Sequence, residues 1–261
     1  MKTKFVQHKY IQRIFWICLL LVLWEVVARS GKYSPLIFPS LEQIFASLYH
    51  SIFNGNLIEQ VLYTLKLIFE GFVIALILAV LLSVLAFASK IFEGLVETLL
   101  AIAHPLPGLA LLPLIILWLG TGANSIIFII VHSVVWPLLL NLLIGFKSIP
   151  KIYKQVGQNY ELGSVQIVLH IMIPASLPYF IAGLKTGWAR AWRAVIGAEM
   201  VFGAAGGSGG IGWFIFTNRV FMDTAGMFAG IFVIILIGVL VEDLILDRFE
   251  KATVKKWGMT I

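Results

Sequence analysis

Long stretches without any charged residue constrain this chain more than any other feature of its sequence. Between Glu97 and Lys147 lie 49 consecutive uncharged residues, most of them apolar, whereas a helix that spans a membrane needs about 20. Further uncharged stretches occupy 71–89, 162–184 and 224–241. A helix pairs its own backbone N–H and C=O groups, so it is the structure that such stretches adopt in hydrocarbon. The sequence therefore predicts several transmembrane helices.

Composition and charge narrow the possible functions. Apolar residues make up 60% of the chain and charged residues only 12%, compared with about 25% charged in an ordinary soluble domain, which argues against a soluble enzyme. The net charge of +6 does not indicate nucleic-acid binding, because the basic residues are scattered among apolar segments instead of forming one basic face. The one cysteine, Cys18, cannot form a disulfide framework or a cysteine metal cluster, and we expect no metal and no cofactor.

Six membrane spans are predicted within a single domain, 1–261. The turn-forming cluster at 120–124 divides the longest uncharged stretch into two helices. The apolar stretch that ends near Ala28 is interpreted as a short first membrane helix and not as a secretory signal, since Trp24 and Glu25 do not suit a cleavage site. The predicted fold class is an all-α integral membrane protein, with helices over 14–28, 61–89, 97–119, 124–146, 174–200 and 225–246.

The distribution of Lys and Arg predicts the orientation in the membrane, because short cytoplasmic loops are enriched in these residues. With the amino terminus inside, twelve of them fall on cytoplasmic segments and three fall outside. We therefore expect both termini in the cytoplasm, as an amino-terminal segment 1–13 and a carboxy-terminal tail 248–261. The loops expected to face outward are 29–60, 120–124 and 201–224.

A polar interruption at 147–173 separates the fourth and fifth predicted membrane helices. Pro150 suits the start of a short helix, and the pair Gly163–Ser164 suits a break before a second apolar stretch that ends at Pro174. Two short helices at an angle would present a mixed polar and apolar surface on the cytoplasmic side. This surface is either a connection that rests on the lipid headgroups or a docking element for a soluble partner.

The residues of this interruption carry a family resemblance. The run Gln155–Glu161, followed by Gln166 and by Ile173–Pro178, resembles the "EAA" loop in permease subunits of binding-protein-dependent ABC importers, in which Glu-Ala-Ala-x-x-x-Gly is followed by a hydrophobic residue and Leu-Pro. Similarity to the nitrate, sulfonate and taurine subgroup lies in ordered markers along nearly the whole chain: Leu23-Trp24-Glu25, Phe38-Pro39-Ser40, Thr64-Leu65 with Gly71-Phe72, Leu111–Leu114, Trp118–Gly122, Ala191-Trp192 and Ala198-Glu199-Met200.

The chain departs from the EAA pattern at three positions, with Gln155 in place of the motif's Glu, Gly157 in place of its second Ala and Glu161 in place of its Gly. Gly163 could supply the bend two residues later. The resemblance implies that the coupling loop, 147–173, contacts an ATPase and acts as a lever seated in its groove. The residues implied in this contact are Tyr153, Gln155, Val156, Gly157, Tyr160, Glu161, Leu162, Gly163 and Pro174.

The resemblance also implies a type I importer permease fold, in which a cytoplasmic coupling helix lies between helices 4 and 5. Such a permease lies in the bacterial cytoplasmic (inner) membrane, pairs as a homodimer, and binds two cytoplasmic ATP-binding subunits. An extracytoplasmic substrate-binding protein delivers a small solute, and the subgroup suggests an anion such as a sulfonate, nitrate or taurine. The chain lacks the Gly-x-x-x-x-Gly-Lys-Ser/Thr phosphate loop, so we expect no enzymatic activity of its own and ATP hydrolysis by a partner chain.

Four charged residues, Lys185, Arg190, Arg193 and Glu199, lie in the fifth predicted membrane helix, where charge is costly unless it faces water or a bundle interior. Arg190 and Arg193 share a helix face. One interpretation is a basic lining that binds an anionic solute through guanidinium contacts. The candidate pathway residues are Arg190, Trp192, Arg193, Glu199, His132 and Trp136.

A structural interpretation of the same charges competes with this one. The two arginines could instead form ion pairs with Glu70, Glu97 or Glu199 of neighbouring helices, while Lys185 reaches the cytoplasmic headgroups. His104 and His132 could form a proton relay, but they are isolated in sequence, so we expect hydrogen bonding within the core or a cavity.

The segment Gly207–Gly212 matches the letters of the dinucleotide fingerprint Gly-x-Gly-x-x-Gly. It follows a predicted membrane helix and not a strand, and it faces away from cytoplasmic nucleotides. We interpret it as a flexible turn or re-entrant segment at the outer mouth.

Two other classes of function stay open, an autonomous ion channel or ion-coupled secondary transporter, and a membrane enzyme. A channel needs no docking helix. An enzyme needs a recognisable set of catalytic residues, and the sequence contains no such motif.

Overall fold

The computed structural model describes residues 2–203 and 209–255, and within these ranges the regular elements are all helical. In chain order the helices are α1 Lys2–Arg29, α2 Leu41–Phe53, α3 Leu57–Ala88, α4 Lys90–Ala103, α5 Leu112–Leu119, α6 Ala123–Lys147, α7 Lys151–Asn159, α8 Ser164–Ile167, α9 Ile173–Phe202, α10 Ile211–Val220, α11 Thr224–Leu240 and α12 Asp247–Glu250. A short 3-10 helix, Gly108–Leu111, precedes α5, and the π-helical segments are Val168–Met172, Val241–Leu246 and Lys251–Lys255.

Five of the described helical segments are long and apolar enough to cross a membrane, and there are six if the bent pair formed by α4 and α5 counts as one span. This confirms the predicted all-α membrane fold with about six spans. The five are Ile11–Arg29, Leu57–Ala88, Ala123–Lys147, Val168–Phe202 and Thr224–Thr253.

The prediction of one continuous helix over 97–119 is wrong. The segments Lys90–Ala103 and Gly108–Leu119 meet at an angle of 84°. Pro105 and Pro107 stand at the break. A proline has no N–H to donate and disfavours the helical conformation of the residue before it, so two prolines two residues apart interrupt a segment that is otherwise apolar enough to continue.

Helices α3, α6 and α9 form the main core of the bundle, with buried side chains that include Ala75, Leu138 and Val195. Helices α6 and α9 come together at glycines. A Cβ atom added at Gly183 would lie 2.9 Å from Leu138 Cδ1, and one added at Gly187 would lie 3.1 Å from Val134 Cγ1. Small residues at such contacts let two helix backbones approach closely within a membrane.

The core helices define two ends of the bundle. The α7 end contains the last turns of α3 and α6 and the beginning of α9, and there Lys147 Nζ lies 2.8 Å from Glu97 Oε1 and 2.9 Å from Glu93 Oε1. The α10 end contains the first turns of α3 and the last turn of α9, which meet α10 through Thr64 and Glu199.

Two segments predicted as loops contain helices, since α2 lies within 29–60 and α10 within 201–224. Helix α2 begins with a capping box, in which the Gln43 N–H donates to the Ser40 hydroxyl at 3.3 Å and the Ser40 N–H donates to the Gln43 side chain at 3.0 Å. It packs on α11, where the rings of Phe45 and Phe232 meet edge to face. Pairing of both terminal N–H groups stabilises the helix start.

Lys185 of α9 contacts acidic side chains of the last helical segment. Its Nζ lies 2.6 Å from Asp247 Oδ1 and also contacts Glu250 Oε2, both on α12. Arg13 of α1 makes a similar contact, 2.7 Å from Asp243 Oδ2. The charged side chains of the last helical segment therefore tie it to α1 and α9.

Candidate functional site

The α7 loop, 147–173, is anchored by one small residue. Gly157 is the buried residue of α7, and a Cβ atom added there would lie 2.7 Å from Ile171 Cδ1 and 3.0 Å from Ile167 Cγ1. The other side chains of α7 are exposed, including Gln155. Exposed fractions are 49% for Tyr153, 42% for Val156 and 77% for Tyr160. Helix α7 thus packs through its glycine and leaves its large apolar side chains uncovered in the single chain.

The chain turns sharply at Glu161 and not at Gly163. Glu161 has a φ of +58°. Its N–H donates to Gln158 O at 2.9 Å, and the Leu162 N–H donates to Gly157 O at 3.0 Å, which together form a Schellman motif. The left-handed residue of that motif is usually glycine, and Glu161 is the position where the EAA pattern has its glycine. Leu162 is half-buried and Gly163 is exposed.

The predicted end of the second short helix at Pro174 is wrong, because helical structure runs from α8 through the π-helical segment into α9. The Gly163 N–H donates to Gln166 Oε1 at 2.9 Å just before α8. Pro174 needs no hydrogen-bond partner for its nitrogen and lies in the first turn of α9, where proline is tolerated. The neighbouring Ile173 N–H donates to Val168 O, five residues back, so the helix widens locally without breaking. Pro174 itself is half-buried.

A cavity of about 530 Å³ lies beside the middle of α9. Its polar lining residues are His104, His132, Ser133, Trp136, Arg190 and Arg193. Arg190 Nη2 lies 3.5 Å from His104 Nε2, whereas Arg193 Nε donates to Ala189 O of its own helix at 3.0 Å. His132 Nδ1 and Trp136 Nε1 are buried atoms with no hydrogen-bond partner in the described part of the chain. The cavity is therefore lined by two guanidinium groups together with further polar side chains.

Acidic residues do not line this cavity within the described ranges. The three candidates for ion pairs with the arginines contact other groups. Glu70 lies 3.9 Å from Lys66, Glu97 lies 2.8 Å from Lys147, and Glu199 accepts from Thr64. No salt bridge joins either arginine to any described acidic residue.

Four of the six candidate pathway residues, His132, Trp136, Arg190 and Arg193, thus lie around one cavity. The other two do not line it. Trp192 is buried and stacks on Trp188 with ring centroids 5.8 Å apart, and Glu199 is fully buried. No group of three or more described His, Cys, Asp or Glu residues is arranged to hold a metal ion.

Glu199 contacts the first turn of α10 and the hydroxyl of Thr64. The Thr64 hydroxyl donates to the carboxylate at 2.8 Å, the Gly212 N–H donates to Oε2 at 2.9 Å, and the Ile211 N–H donates to the Thr64 hydroxyl at 2.9 Å. A Cβ atom added at Gly210 would lie 2.0 Å from Glu199 Oε1.

Sequence reasoning assigned Glu199 to the pathway and missed this contact. The signal that could have found it is the glycine-rich segment itself, because its glycines allow close approach of a backbone to an anion. Gly207 and Ser208 of that segment lie outside the described residues. Since Gly210 and Gly212 enclose a carboxylate of the same chain, the described part of the segment does not form a nucleotide site.

Comparison with known proteins gives a consistent result along the chain. The family model for the binding-protein-dependent transport system inner membrane component matches residues 71–255. The nitrate import permease protein NrtB of Synechocystis sp. is 30% identical over 240 residues, which cover 89% of this chain and 84% of that protein. The formylaminopyrimidine transport permease protein ThiX of Halalkalibacterium halodurans is 31% identical over 226 residues, or 85% of this chain and 86% of that protein.

The taurine transport system permease protein TauC of Escherichia coli is 25% identical over 231 residues, which cover 87% of this chain and 82% of that protein. The family match includes α3 from residue 71 onward, all of α6 and α9, the α7 loop and the cavity residues of α9. These matches confirm the resemblance drawn from the EAA loop and the ordered markers. The chain belongs to the family of inner-membrane components of binding-protein-dependent transport systems, the permeases of ABC importers.

Proposed function

We propose that this chain is the membrane-spanning permease subunit of an ATP-driven importer and that it forms the translocation pathway for a small anionic solute. Two cytoplasmic ATP-binding subunits hydrolyse ATP, and the chain itself is not an enzyme. The observation that carries the proposal is α7, a helix fixed by Gly157 to the helical segment that leads into α9, while Tyr153, Val156 and, directly after the helix, Tyr160 are exposed. Exposed aromatic and aliphatic side chains on one short helix are typical of a surface that a partner covers.

The continuous helix from α8 to α9 supports a mechanical role for this surface. The Schellman turn at Glu161 holds α7 at an angle to α8, and Gly157 packs on Ile167 and Ile171. A movement of α7, imposed by closure of the ATPase pair, therefore reaches α9 through packed side chains. Helix α9 carries Arg190 and Arg193, so this movement would switch access to the cavity between the two sides of the membrane.

The environment of Arg193 supports an anionic solute. Arg193 lies nine residues before the end of α9, about 14 Å along the helix, and is exposed in the single chain. A guanidinium facing lipid at that depth would be very costly, so this face meets a water-filled path or a second protein surface. With Arg190 and the Ser133 hydroxyl beside it, the cavity offers several donors and no described carboxylate, which suits an anion.

The names of the relatives are compatible with this solute class without deciding it. Nitrate and taurine are named for two relatives, but formylaminopyrimidine, which is not an anion of that kind, is named for another. The anionic class therefore rests on the cavity and not on the relatives.

The same exposed face supports a homodimer. The cavity is open at the side of the single chain that carries Arg193, and a second copy there would shield both arginines from lipid.

Under the orientation set by the Lys and Arg distribution, the α7 end and both termini lie in the cytoplasm of a bacterial cell, and the protein lies in the inner membrane. The α10 end then faces the extracytoplasmic substrate-binding protein.

An autonomous ion channel or ion-coupled secondary transporter is the alternative function. Purification from native membranes in mild detergent separates the two. We expect an ATPase subunit to co-purify in equal amount with the chain, and Val156→Asp to remove it because the new charge lies in the docked surface. Lys154→Ala, on the same short helix, is the matched control and should keep the ATPase bound. An unaccompanied oligomer that conducts ions in planar bilayers would contradict the importer and support the channel.

A further inference from the structure

The buried Glu199 carboxylate joins three helices at the α10 end. Glu199 belongs to α9, Thr64 to α3, and the two N–H donors, Ile211 and Gly212, begin α10. The Glu199 side chain has no exposed surface. A charge or a polar carboxyl within a membrane protein must find partners inside the protein, and here the partners all come from helices other than the one that carries it.

The backbone of α10 is shaped around this carboxylate. A Cβ atom added at Gly210 would lie 2.0 Å from Glu199 Oε1 and 2.4 Å from the Thr64 hydroxyl. One added at Gly212 would lie 2.5 Å from Ile196 O and 2.8 Å from Glu199 Cβ. Gly210, just before α10, and Gly212, in its first turn, are thus in direct contact with the Glu199 region of α9, and neither position has room for a side chain larger than hydrogen.

The remainder of α9 reaches the opposite end of the bundle. The helix that ends at Phe202 runs without interruption from Val168, a length of 35 residues or about 52 Å. Its first turn packs on Gly157 of α7 through Ile171, next to Ile167 at the end of α8. One helix therefore connects the α7 loop to the Glu199 contact, and the cavity with Arg190 and Arg193 lies between the two.

We propose that Glu199 is a positioning residue that ties α10 to α9, directly through the Gly212 N–H and also through Thr64, so that a movement of α9 driven at the α7 end also repositions α10. Glu199 does not line the cavity and does not touch the solute. Its role is to make the α10 end respond to an event at the α7 end. The inference rests on the proposed function, in which an ATPase drives α7.

The experiment measures movement at the two ends separately. In a Cys18→Ser background, one reporter cysteine replaces Phe221, which is 80% exposed beside α10, and another, in a separate protein, replaces the exposed Gln158 of α7. Each chain is purified in its complex with the ATPase subunits, and the rate of thiol labelling is measured with and without ATP and vanadate. In the otherwise unchanged chain we expect ATP to change the labelling rate of both reporters by about fivefold or more, the usual size of coupling between sites.

Three variants then test the link itself. Thr64→Val and Glu199→Gln should leave the ATP response of the α7 reporter in place and reduce the response of the α10 reporter to a rate ratio near one. Thr64→Ser keeps the hydroxyl and should restore the response at α10. A role limited to folding would not separate the two reporters in this way.

Several outcomes would overturn the inference. An ATP response at α10 that is equal in Thr64→Val, Glu199→Gln and the unchanged chain shows that the contact carries no movement. Failure of both variants to assemble with the ATPase identifies a folding role. A response at α7 but not at α10 in the unchanged chain removes this inference alone, whereas no response at either reporter, or no ATPase bound, removes the proposed function with it.

Discussion

Arg193 and Glu199 lie six residues apart on the same helix and have opposite environments. Arg193 is exposed at an open cavity, and among the residues that the structure describes its side chain is bonded to the backbone of its own helix. Glu199 is fully buried and is held by Thr64 and Gly212. Both residues are of charged types and lie within one apolar span. The protein supplies hydrogen-bond partners to Glu199, whereas it leaves the Arg193 side chain available to a solute or a second subunit.

This difference separates two uses of charge in a membrane protein. A buried charged group whose partners belong to the same chain joins helices, because its removal leaves those partners unsatisfied. A charged group that the single chain leaves open is instead available to a solute or to a second subunit. Substitutions at the two kinds of site should therefore affect different measurements.

The largest expected effect is on the buried site. Gly210→Ala places a methyl group 2.0 Å from Glu199 Oε1, so we expect a loss of about 3 kcal/mol in the free energy of unfolding, the upper end of the usual cost of overpacking. Thermal unfolding in detergent measures it. Gly94→Ala, at an exposed helical site with no atom within 4 Å of the new Cβ, is the control and should be neutral or slightly stabilising. Equal stability of both variants would contradict the close packing around Glu199.

Substitutions at the exposed Arg193 should change solute transport and leave the free energy of unfolding unchanged. Arg193→Gln removes one guanidinium from the cavity, and we expect the apparent affinity for an anionic solute to fall by about 2 kcal/mol, about 30-fold, the usual value for hydrogen bonds to a charged group. Uptake of nitrate, taurine and an aliphatic sulfonate into proteoliposomes measures it, and thermal unfolding should be unchanged. Arg193→Lys should be intermediate, because it keeps charge but loses the fork of donors. Unaltered uptake of the transported solute would rule out a direct contact.

Substitution of a third charged residue of α9, Lys185, should reduce the free energy of unfolding by less than Gly210→Ala does and by more than Arg193→Gln does. Lys185 is partly exposed and contacts Asp247 and Glu250. We expect Lys185→Met to reduce the free energy of unfolding by about 1 kcal/mol, the upper value for partly solvated ion pairs, and the reduction should shrink at high salt. Lys154→Met on exposed α7 serves as the control. A loss of the size expected for Gly210→Ala would mean that the Lys185 cluster is as tightly constrained as the Glu199 site.

The smallest expected effect concerns a second glutamate, at the α7 end. The backbone of Glu161 is left-handed, with a φ of +58°, a conformation that costs a residue with a side chain about 1–2 kcal/mol. Glu161→Gly should therefore stabilise the chain by about 1 kcal/mol, whereas Glu161→Ala should not. Thermal unfolding of the two variants decides whether the backbone or the carboxylate matters at this position, in contrast to Glu199.

Hydropathy located most of the fold correctly. The stretches around 71–89, 124–146 and 225–246 correspond to α3, α6 and α11 with its extension, because burial of apolar residues in lipid depends on local composition. The α7 loop was also located, since its polar residues cannot continue a span. The resemblance of this loop to the EAA pattern then identified the family, which the wider comparisons confirmed.

Elements that depend on backbone details were harder to predict. The break at Pro105 and Pro107 lies within a stretch whose apolar content suits one span. Helix α10 follows a glycine-rich segment that favours a turn in isolation, and its start is stabilised by Glu199 and Thr64. A hydropathy pattern takes no account of either cause. The first is the missing N–H of two prolines, and the second is a contact with residues distant in the sequence.

The sequence by itself determined that the chain lies in a membrane, how many apolar segments are long enough to cross it, and that a polar loop interrupts them, because these properties are sums over neighbouring residues. Only the tertiary structure decided that Glu199 is satisfied within the chain while Arg193 is not. The reason is that Thr64 lies 135 positions away from Glu199 along the chain, and folding alone brings the two together.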